Sequence, residues 1–380
     1  MIGKTHRLAR HPVKIVLHAG FPKTGSSTLQ HYLASHRSAL RENGILYPKF
    51  DGYDSHWVLT AAFHDFPGNY HHVRRRMAKQ DVSRRLNAAK GELHALLAGT
   101  TGDEVVLLSH EGFGGDLQAT QGIVALRDML LDFSDHVQIL AYARNPVELY
   151  PSSLQQRLKN MEKRVLPPGD WISDHPARAD YLRRVFGEER CNIRVYSSST
   201  LLNGDVIDDF ARYLFRTTGK RLPLSLHRER RNSSLSAQAC AILFALKSGH
   251  ADNLDRKVFV PLRKLLTMYD AARVDPKLEI PKAWIGIIAA RQAGAWNRLV
   301  NKASCFPVAK APHKLPRVAD PPTLSPDEFR AWLLGHGSRT YTAAFADFCE
   351  RQEGRSVRIV AETLRGLASH FPDTETSRAA

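Results

Sequence analysis

The chain has little cysteine, a shortage of acidic residues and no long apolar segment. Its cysteines stand far apart and form no Cys-x-x-Cys pair; they are Cys191, Cys240, Cys305 and Cys349. This spacing argues against a structural zinc site or a disulfide framework and favours a reducing compartment. No run approaches the roughly 18 apolar residues of a membrane helix, and the apolar run near the N-terminus is too short for a secretory signal. We therefore expect a soluble, cytoplasmic protein without a transmembrane segment.

The shortage of acid leaves a strong positive charge. Lys and Arg number 54 and Asp and Glu 38, which gives a net charge of +16 over 380 residues. This balance favours anionic partners such as an acidic polysaccharide, a membrane surface, nucleic acid or a phosphorylated co-substrate, without choosing among them. A cluster of basic residues lies between 71 and 85, on an expected helix that could bind an anionic acceptor or simply face solvent.

Strands alternating with helices predict an α/β fold. Apolar β-branched runs and helical periodicities follow one another through the first 220 residues, which is typical of a central parallel sheet flanked by helices. Beyond about residue 230 the strand signals fade and helical patterns dominate. We expect a P-loop-type three-layer core over 13–230, a helical C-terminal extension packed on it over 231–372, and a frayed tail over 373–380. The expected strands are 13–19, 105–108, 137–143 and 193–196, and the expected late helices are 234–248, 256–273, 282–303 and 326–365.

A glycine-rich loop follows the first strand. Residues 20–28 read Gly-Phe-Pro-Lys-Thr-Gly-Ser-Ser-Thr and open a helix, which is the context of a phosphate-binding loop. Gly20 and Gly25 have the spacing of the nucleotide-triphosphatase pattern GxxxxGK[ST], but Ser26 stands where that pattern has lysine. The lysine lies upstream, at Lys23, from where it can reach the oxygen that bridges a 5′-phosphate to its transferable group.

This loop resembles that of the sulfotransferases that use 3′-phosphoadenosine 5′-phosphosulfate (PAPS). The segment GFPKTGSSTLQ carries the resemblance, and ASHRSALRENGILYPK is most similar to the soluble bacterial branch. The resemblance implies that the loop holds the 5′-phosphate of PAPS. The loop residues concerned are Lys23, Thr24, Gly25, Ser26, Ser27 and Thr28.

A second motif fits the same family. The strand 137–143 is followed by Arg-Asn-Pro, and a serine lies eight residues after the arginine. In this family such a pair holds the 3′-phosphate, which implies that role for Arg144 and Ser152; a guanidinium and a helix hydroxyl suit a phosphate that ATP lacks. The late RKGxxGxW segment of the cytosolic eukaryotic enzymes is missing, and Arg230, Arg231 and Asn232 are the candidates to replace it. The resemblance covers about residues 13–216.

Sulfuryl transfer needs a base for the acceptor proton and a cation for the leaving phosphate. Lys23 suits the second role. Three residues are candidates for the base: His56 lies where several branches have a catalytic Glu or His, His110 where the cytosolic enzymes have Thr-His, and Glu111 where bacterial relatives have Ser-Ser-Glu. All three are expected at the carboxyl edge of the sheet. The sequence leaves the choice open.

The sequence therefore predicts a PAPS-dependent sulfotransferase that transfers a sulfuryl group to a hydroxyl or amine, with an anionic saccharide among the candidate acceptors. No metal-ligand spacing is found, no nucleic-acid partner is expected, and the oligomeric state is not indicated. Two alternatives remain at this point. One is a P-loop kinase or other NTP-dependent phosphotransferase, against which the displaced lysine argues. The other is a non-catalytic polyanion-binding protein that keeps a degenerate loop.

Overall fold

A computed structural model describes most of the chain. The described residues are 13–100, 102–115, 121–161, 164–226, 234–249, 256–304, 313–352 and 355–373. Two compact units divide it: the first comprises Met1–Asn145, Asp174–Arg231 and Ala295–Lys314, and the second Pro146–Ser173, Asn232–Gly294 and Leu315–Ala380. The expected contiguous division near residue 230 thus differs from the division by contacts. The expected tail lies outside the described residues from 374 onward, and so do Arg230, Arg231 and Asn232.

A five-stranded parallel sheet forms the centre of the first unit, in the order β2-β3-β1-β4-β5, and helices flank it. The predicted α/β class is therefore confirmed. The strands are β1 Lys14–Ala19, β2 Ile45–Leu46, β3 Val105–His110, β4 Val137–Ala143 and β5 Cys191–Val195. The helices of this unit are α1 Ser26–Ser35, α2 Arg37–Glu42, α3 Trp57–Ala62, α4 His71–Arg76, α5 Val82–Gly99, α6 Gly122–Phe133, α8 His175–Phe186 and α9 Val206–Thr218.

The sheet order places the glycine-rich loop at a switch point. β1 pairs with β3 on one side and β4 on the other, and Ala19 lies opposite His110 in the register. In open parallel sheets, ligands bind outside the carboxyl ends of strands where the chain path diverges in this way. The loop after β1 occupies that position. Its helix α1 is anchored by Leu29 and Leu33, which pack into a core with Val16 and Phe210.

The basic segment expected as one helix is divided in the structure. α4 ends at Arg76, Met77 has extended backbone (φ −125°, ψ 136°), and a short 3-10 helix at Lys79–Asp81 precedes α5. Val73 and Met77 are buried while the arginines between them are exposed. The apolar anchors therefore fix this segment and leave its charges at the surface.

The regular elements of the second unit are helices, and no named strand occurs among its described residues. Its helices are α7 Pro146–Leu158, α10 Ala237–Lys247, α11 Arg256–Ala271, α12 Lys282–Asn301, α13 Pro326–Gly335, α14 Arg339–Glu350 and α15 Arg355–Ala368, with the unit boundary at Gly294 inside α12. Its core joins residues of α7 with those of the later helices, including Leu154, Leu243, Leu266 and Phe345.

Candidate active site

The loop between β1 and α1 turns sharply in two places. Lys23 (φ 63°) and Gly25 (φ 78°) both have left-handed backbone, which is unusual for lysine and favoured by glycine. A Cβ at Gly25 would lie 2.9 Å from Cε2 of Tyr196 and 3.1 Å from Cγ1 of Val206, so only glycine fits without displacement. The turn leads directly into α1, and backbone N–H groups at the start of a helix can stabilise an oxyanion.

Buried hydroxyl groups brace this loop from within. The Thr24 hydroxyl donates a hydrogen bond to the Phe21 carbonyl (2.7 Å), and Ser26 Oγ lies 3.4 Å from the same oxygen. Thr24 and Ser26 are buried, Lys23 and Thr28 are half-buried, and Ser27 is exposed. The predicted phosphate-loop residues thus span the turn and the start of α1, and the hydroxyl groups of Thr24 and Ser26 hold the shape of the turn.

Arg144 lies beside this loop, directly after β4. Its Nη1 atom lies 3.5 Å from the Lys23 carbonyl oxygen, and its guanidinium lies 5.7 Å from the centre of the Tyr196 ring. Its backbone N–H donates to Nδ1 of His175 (3.0 Å). Two of the predicted cofactor contacts, one on each of two neighbouring strand ends, are therefore adjacent.

Ser152 belongs to the second unit, whereas Arg144 belongs to the first. It lies on α7, which begins at Pro146 as expected and which belongs to the second unit. Its partnership with Arg144 stays a prediction.

Glu111 lies next to the loop. It begins a short 3-10 helix, Glu111–Gly114, immediately after β3 and is half-buried. The parallel register puts Gly20 beside it, and a Cβ at Gly20 would lie only 3.2 Å from Glu111 Cγ. The carboxylate-bearing side chain therefore starts at the edge where the phosphate loop begins.

His110, one residue earlier, is nearly buried. Its Nδ1 atom accepts a hydrogen bond from the Gly112 N–H (3.0 Å) and lies 2.8 Å from the Thr60 hydroxyl oxygen. A ring that accepts at Nδ1 carries the proton of its neutral form on Nε2. In this tautomer Nε2 already carries a proton. It can donate a hydrogen bond to a substrate hydroxyl but cannot remove the proton of that hydroxyl.

His56 is fully buried, and backbone groups bind both of its ring nitrogens. Nδ1 accepts from the Ser109 N–H (2.9 Å), and Nε2 donates to the Pro48 carbonyl (2.9 Å). Burial lowers the pKa of His56 to about 4, so the ring is neutral near pH 7. These contacts favour a structural role, joining β3 to the segment before α3, over the role of base that the sequence suggested first.

Two buried histidines were not singled out from the sequence. His18 in β1 lies 2.7 Å from the Ser109 hydroxyl, and His175 accepts the Arg144 N–H. Burial lowers the pKa of each to about 4. His175 also lies against Phe21 (ring centroids 5.3 Å apart) and so supports both the loop and Arg144. No local pattern in the sequence marks these roles, since they depend on contacts between distant segments.

In the described part of the chain, no cluster of three or more His, Cys, Asp or Glu residues could hold a metal ion. Within the same residues no helix combines the length and apolarity required to cross a membrane.

Neither a protein-family model nor a curated protein sequence matches the chain. Among solved structures, the crystal structure of a sulfotransferase from Alicyclobacillus acidocaldarius is similar, with 16% identity, coverage of 75% of this chain and 94% of that chain, and a TM-score of 0.33. Similarity at this level supports no conclusion about function.

Proposed function

We propose that the protein is a sulfotransferase that uses PAPS as sulfuryl donor. The observation that carries the proposal is the arrangement of two cationic residues at neighbouring strand ends: Lys23 inside the loop and Arg144 beside it, with Arg144 Nη1 3.5 Å from the Lys23 carbonyl oxygen. A nucleotide with both a 5′- and a 3′-phosphate offers one anionic group to each. A nucleoside triphosphate carries all of its phosphates on the 5′ side and has no separate 3′-phosphate for Arg144.

In this proposal the loop residues have different roles. The backbone N–H groups around Gly25 and the start of α1 hold the 5′-phosphate, and Thr24 and Ser26 keep the turn in shape. Lys23 stabilises the negative charge that develops on the bridging oxygen as the sulfur–oxygen bond breaks. Arg144, placed by His175, holds the 3′-phosphate.

Glu111 is our choice for the base. In the transfer step the acceptor oxygen forms a bond to sulfur, the bond from sulfur to the bridging oxygen breaks, and its electron pair remains on the departing phosphate. The acceptor proton passes to the Glu111 carboxylate. This choice rests on the position of Glu111 against Gly20 and on the hydrogen bonds that already occupy the acceptor nitrogens of His56 and His110.

Calorimetry with 3′-phosphoadenosine 5′-phosphate (PAP) tests the proposal. PAP should bind more tightly than AMP or ATP, without magnesium. Arg144→Ala should weaken PAP binding by roughly 10- to 150-fold, the equivalent of a charged hydrogen bond, and change AMP binding little.

Arg41→Ala, at an exposed position on α2, is the matched control and should leave both affinities unchanged. Equal affinities of the wild type for PAP and AMP would refute the proposal. A requirement for magnesium together with preference for ATP would favour a phosphotransferase instead.

A further inference from the structure

Three adjacent arginines of α4 are exposed. Within the described residues, no ion pair joins Arg74, Arg75 or Arg76 to a carboxylate. The next two arginines along the chain differ from them. Arg84 pairs with Asp81 (2.7 Å), and Arg85 pairs with Asp51. The positive charge of this segment is therefore concentrated on α4.

Arg76 is held in place by aromatic rings instead of by an acid. Its guanidinium lies 5.4 Å from the centre of the Tyr53 ring and 5.7 Å from that of Trp57. Tyr53 and Trp57 pack edge to face (4.8 Å), and Trp57 is buried. Stacking of this kind orients the planar donor fork of arginine and leaves its N–H groups available for an anion.

The arginines are connected to the proposed base by a row of ring contacts. The His72 ring lies 5.3 Å from Trp57 on one side and 6.3 Å from His110 on the other. His110 immediately precedes Glu111 in the chain. All of these residues belong to the first unit. These contacts, which pass through the buried Trp57 and His110, connect Glu111 and His72 to Arg76 as one strip of residues.

We infer that this strip, formed by Glu111, His110, His72, Tyr53 and Arg74–Arg76, is the acceptor site, and that its acceptor is an acidic saccharide. The inference rests on the proposed function. A sugar hydroxyl lies at Glu111 for reaction, while a carboxylate or sulfate group on a neighbouring sugar binds the α4 arginines. A nucleic acid fits less well, because Arg76 covers the Tyr53 ring and Trp57 is buried, so these rings offer no face for base stacking.

Binding of defined oligosaccharides to the full chain tests this inference. The probes are a hyaluronan hexasaccharide, whose charges are carboxylates, and the same hexasaccharide with its carboxyl groups reduced to alcohols. The acidic form should bind more tightly. Arg76→Ala should weaken its binding by about tenfold or more, whereas Arg84→Ala, with its charge already paired, should change it little. Neither variant should alter the affinity for PAP.

Transfer of radiolabelled sulfate from PAPS provides the second measurement. Arg76→Ala should raise KM for an acidic acceptor with little change in kcat, since Arg76 binds the acceptor away from the reacting hydroxyl.

Three results would overturn the inference. The first is equal binding of the acidic and reduced hexasaccharides, or equal losses in Arg76→Ala and Arg84→Ala. The second is a single-stranded RNA of similar charge that binds more tightly than the acidic hexasaccharide through Arg76. The third is that this protein binds the acidic hexasaccharide through Arg76 but does not bind PAP. The surface would then bind saccharide without serving as an acceptor site. Tight binding of PAP without any preference for acidic sugar would refute the acceptor class and leave the sulfotransferase proposal intact.

Discussion

The three side chains that the sequence offers as a base differ in what their reactive atoms already bind. His56 has hydrogen bonds at both ring nitrogens, and His110 uses the nitrogen that could accept a proton. Glu111 stands beside Gly20 with a carboxylate, which has several acceptor positions and can hold one contact while taking a proton. Spacing along the chain cannot make this distinction, because the partners of His56 lie 8 and 53 residues away.

Glu111→Gln should remove the base and keep the shape of the site. We expect turnover to fall by roughly 10²- to 10⁴-fold, the usual contribution of a general base, with PAP affinity little changed. The measurement is kcat with PAPS and an accepted sugar, alongside PAP calorimetry on the same preparation.

His56→Ala is the informative counterpart. It leaves the Ser109 N–H and the Pro48 carbonyl without their partner in a buried place, so it should cost about 1–3 kcal/mol of stability for each group. Its turnover per folded molecule should stay near that of the wild type. A stable His56→Ala protein without activity, beside an active Glu111→Gln, would reverse the assignment.

The loop and α1 form the proposed phosphate-binding element, and Gly25 is where they join. The left-handed backbone and the Tyr196 ring, only 2.9 Å from the position of an added Cβ, leave no space for a side chain. Gly25→Ala should therefore cost roughly 1–3 kcal/mol of stability and reduce PAP affinity, because the N–H groups move out of position. Urea unfolding and PAP calorimetry measure the two effects.

A matched glycine exists on α5. Gly91 is exposed, and nothing lies within 4 Å of an added Cβ. Gly91→Ala should leave PAP binding unchanged and raise stability by up to about 1 kcal/mol, since alanine has the higher helix propensity. Loss of PAP affinity in both variants, or in neither, would contradict the explanation for Gly25.

Some elements were readable from the sequence for a clear physical reason. β1, β3 and β4 are largely buried parallel strands, which appear as mainly apolar runs bounded by turns, whereas β5 is marked only by Ile193 and Val195. β2 has only two residues, Ile45–Leu46, and exists because β3 offers it a neighbour, with the Val105 N–H bonded to the Gly44 carbonyl. A pattern of two residues carries no periodicity, so no prediction was possible.

The positions of the helices could be predicted more fully than the residues against which they pack. The late segments 234–248, 256–273 and 282–303 contain α10, α11 and α12. The segment expected over 326–365 contains α13, α14 and most of α15, and Ser338 caps α14 by accepting the Tyr341 N–H. α7 was expected in the α/β core, yet its buried Leu149 and Leu154 join the core of the second unit. Periodicity marks which residues of a helix are buried but not which residues they pack against.

Across the molecule, the first unit depends on several buried histidines remaining neutral. His18, His56 and His175 are fully buried, and burial lowers the pKa of each to about 4. In the unfolded chain the same rings have the ordinary pKa of about 6.5. Between these two values the unfolded state binds more protons than the folded state.

Stability should therefore be fully present above about pH 6.5 and fall as the pH decreases towards 4. The slope is about 1.4 kcal/mol per pH unit for each proton taken up on unfolding, so three histidines give up to roughly 4 kcal/mol per unit. Urea unfolding at several pH values between 6.5 and 5 measures this slope above the range in which most carboxylates titrate.

His18→Asn removes one titrating group while its amide can still bond to Ser109, and should lower the slope by about one proton. A slope that is the same in wild type and His18→Asn would mean that His18 does not contribute to acid unfolding, and that the pH sensitivity of the first unit has another source.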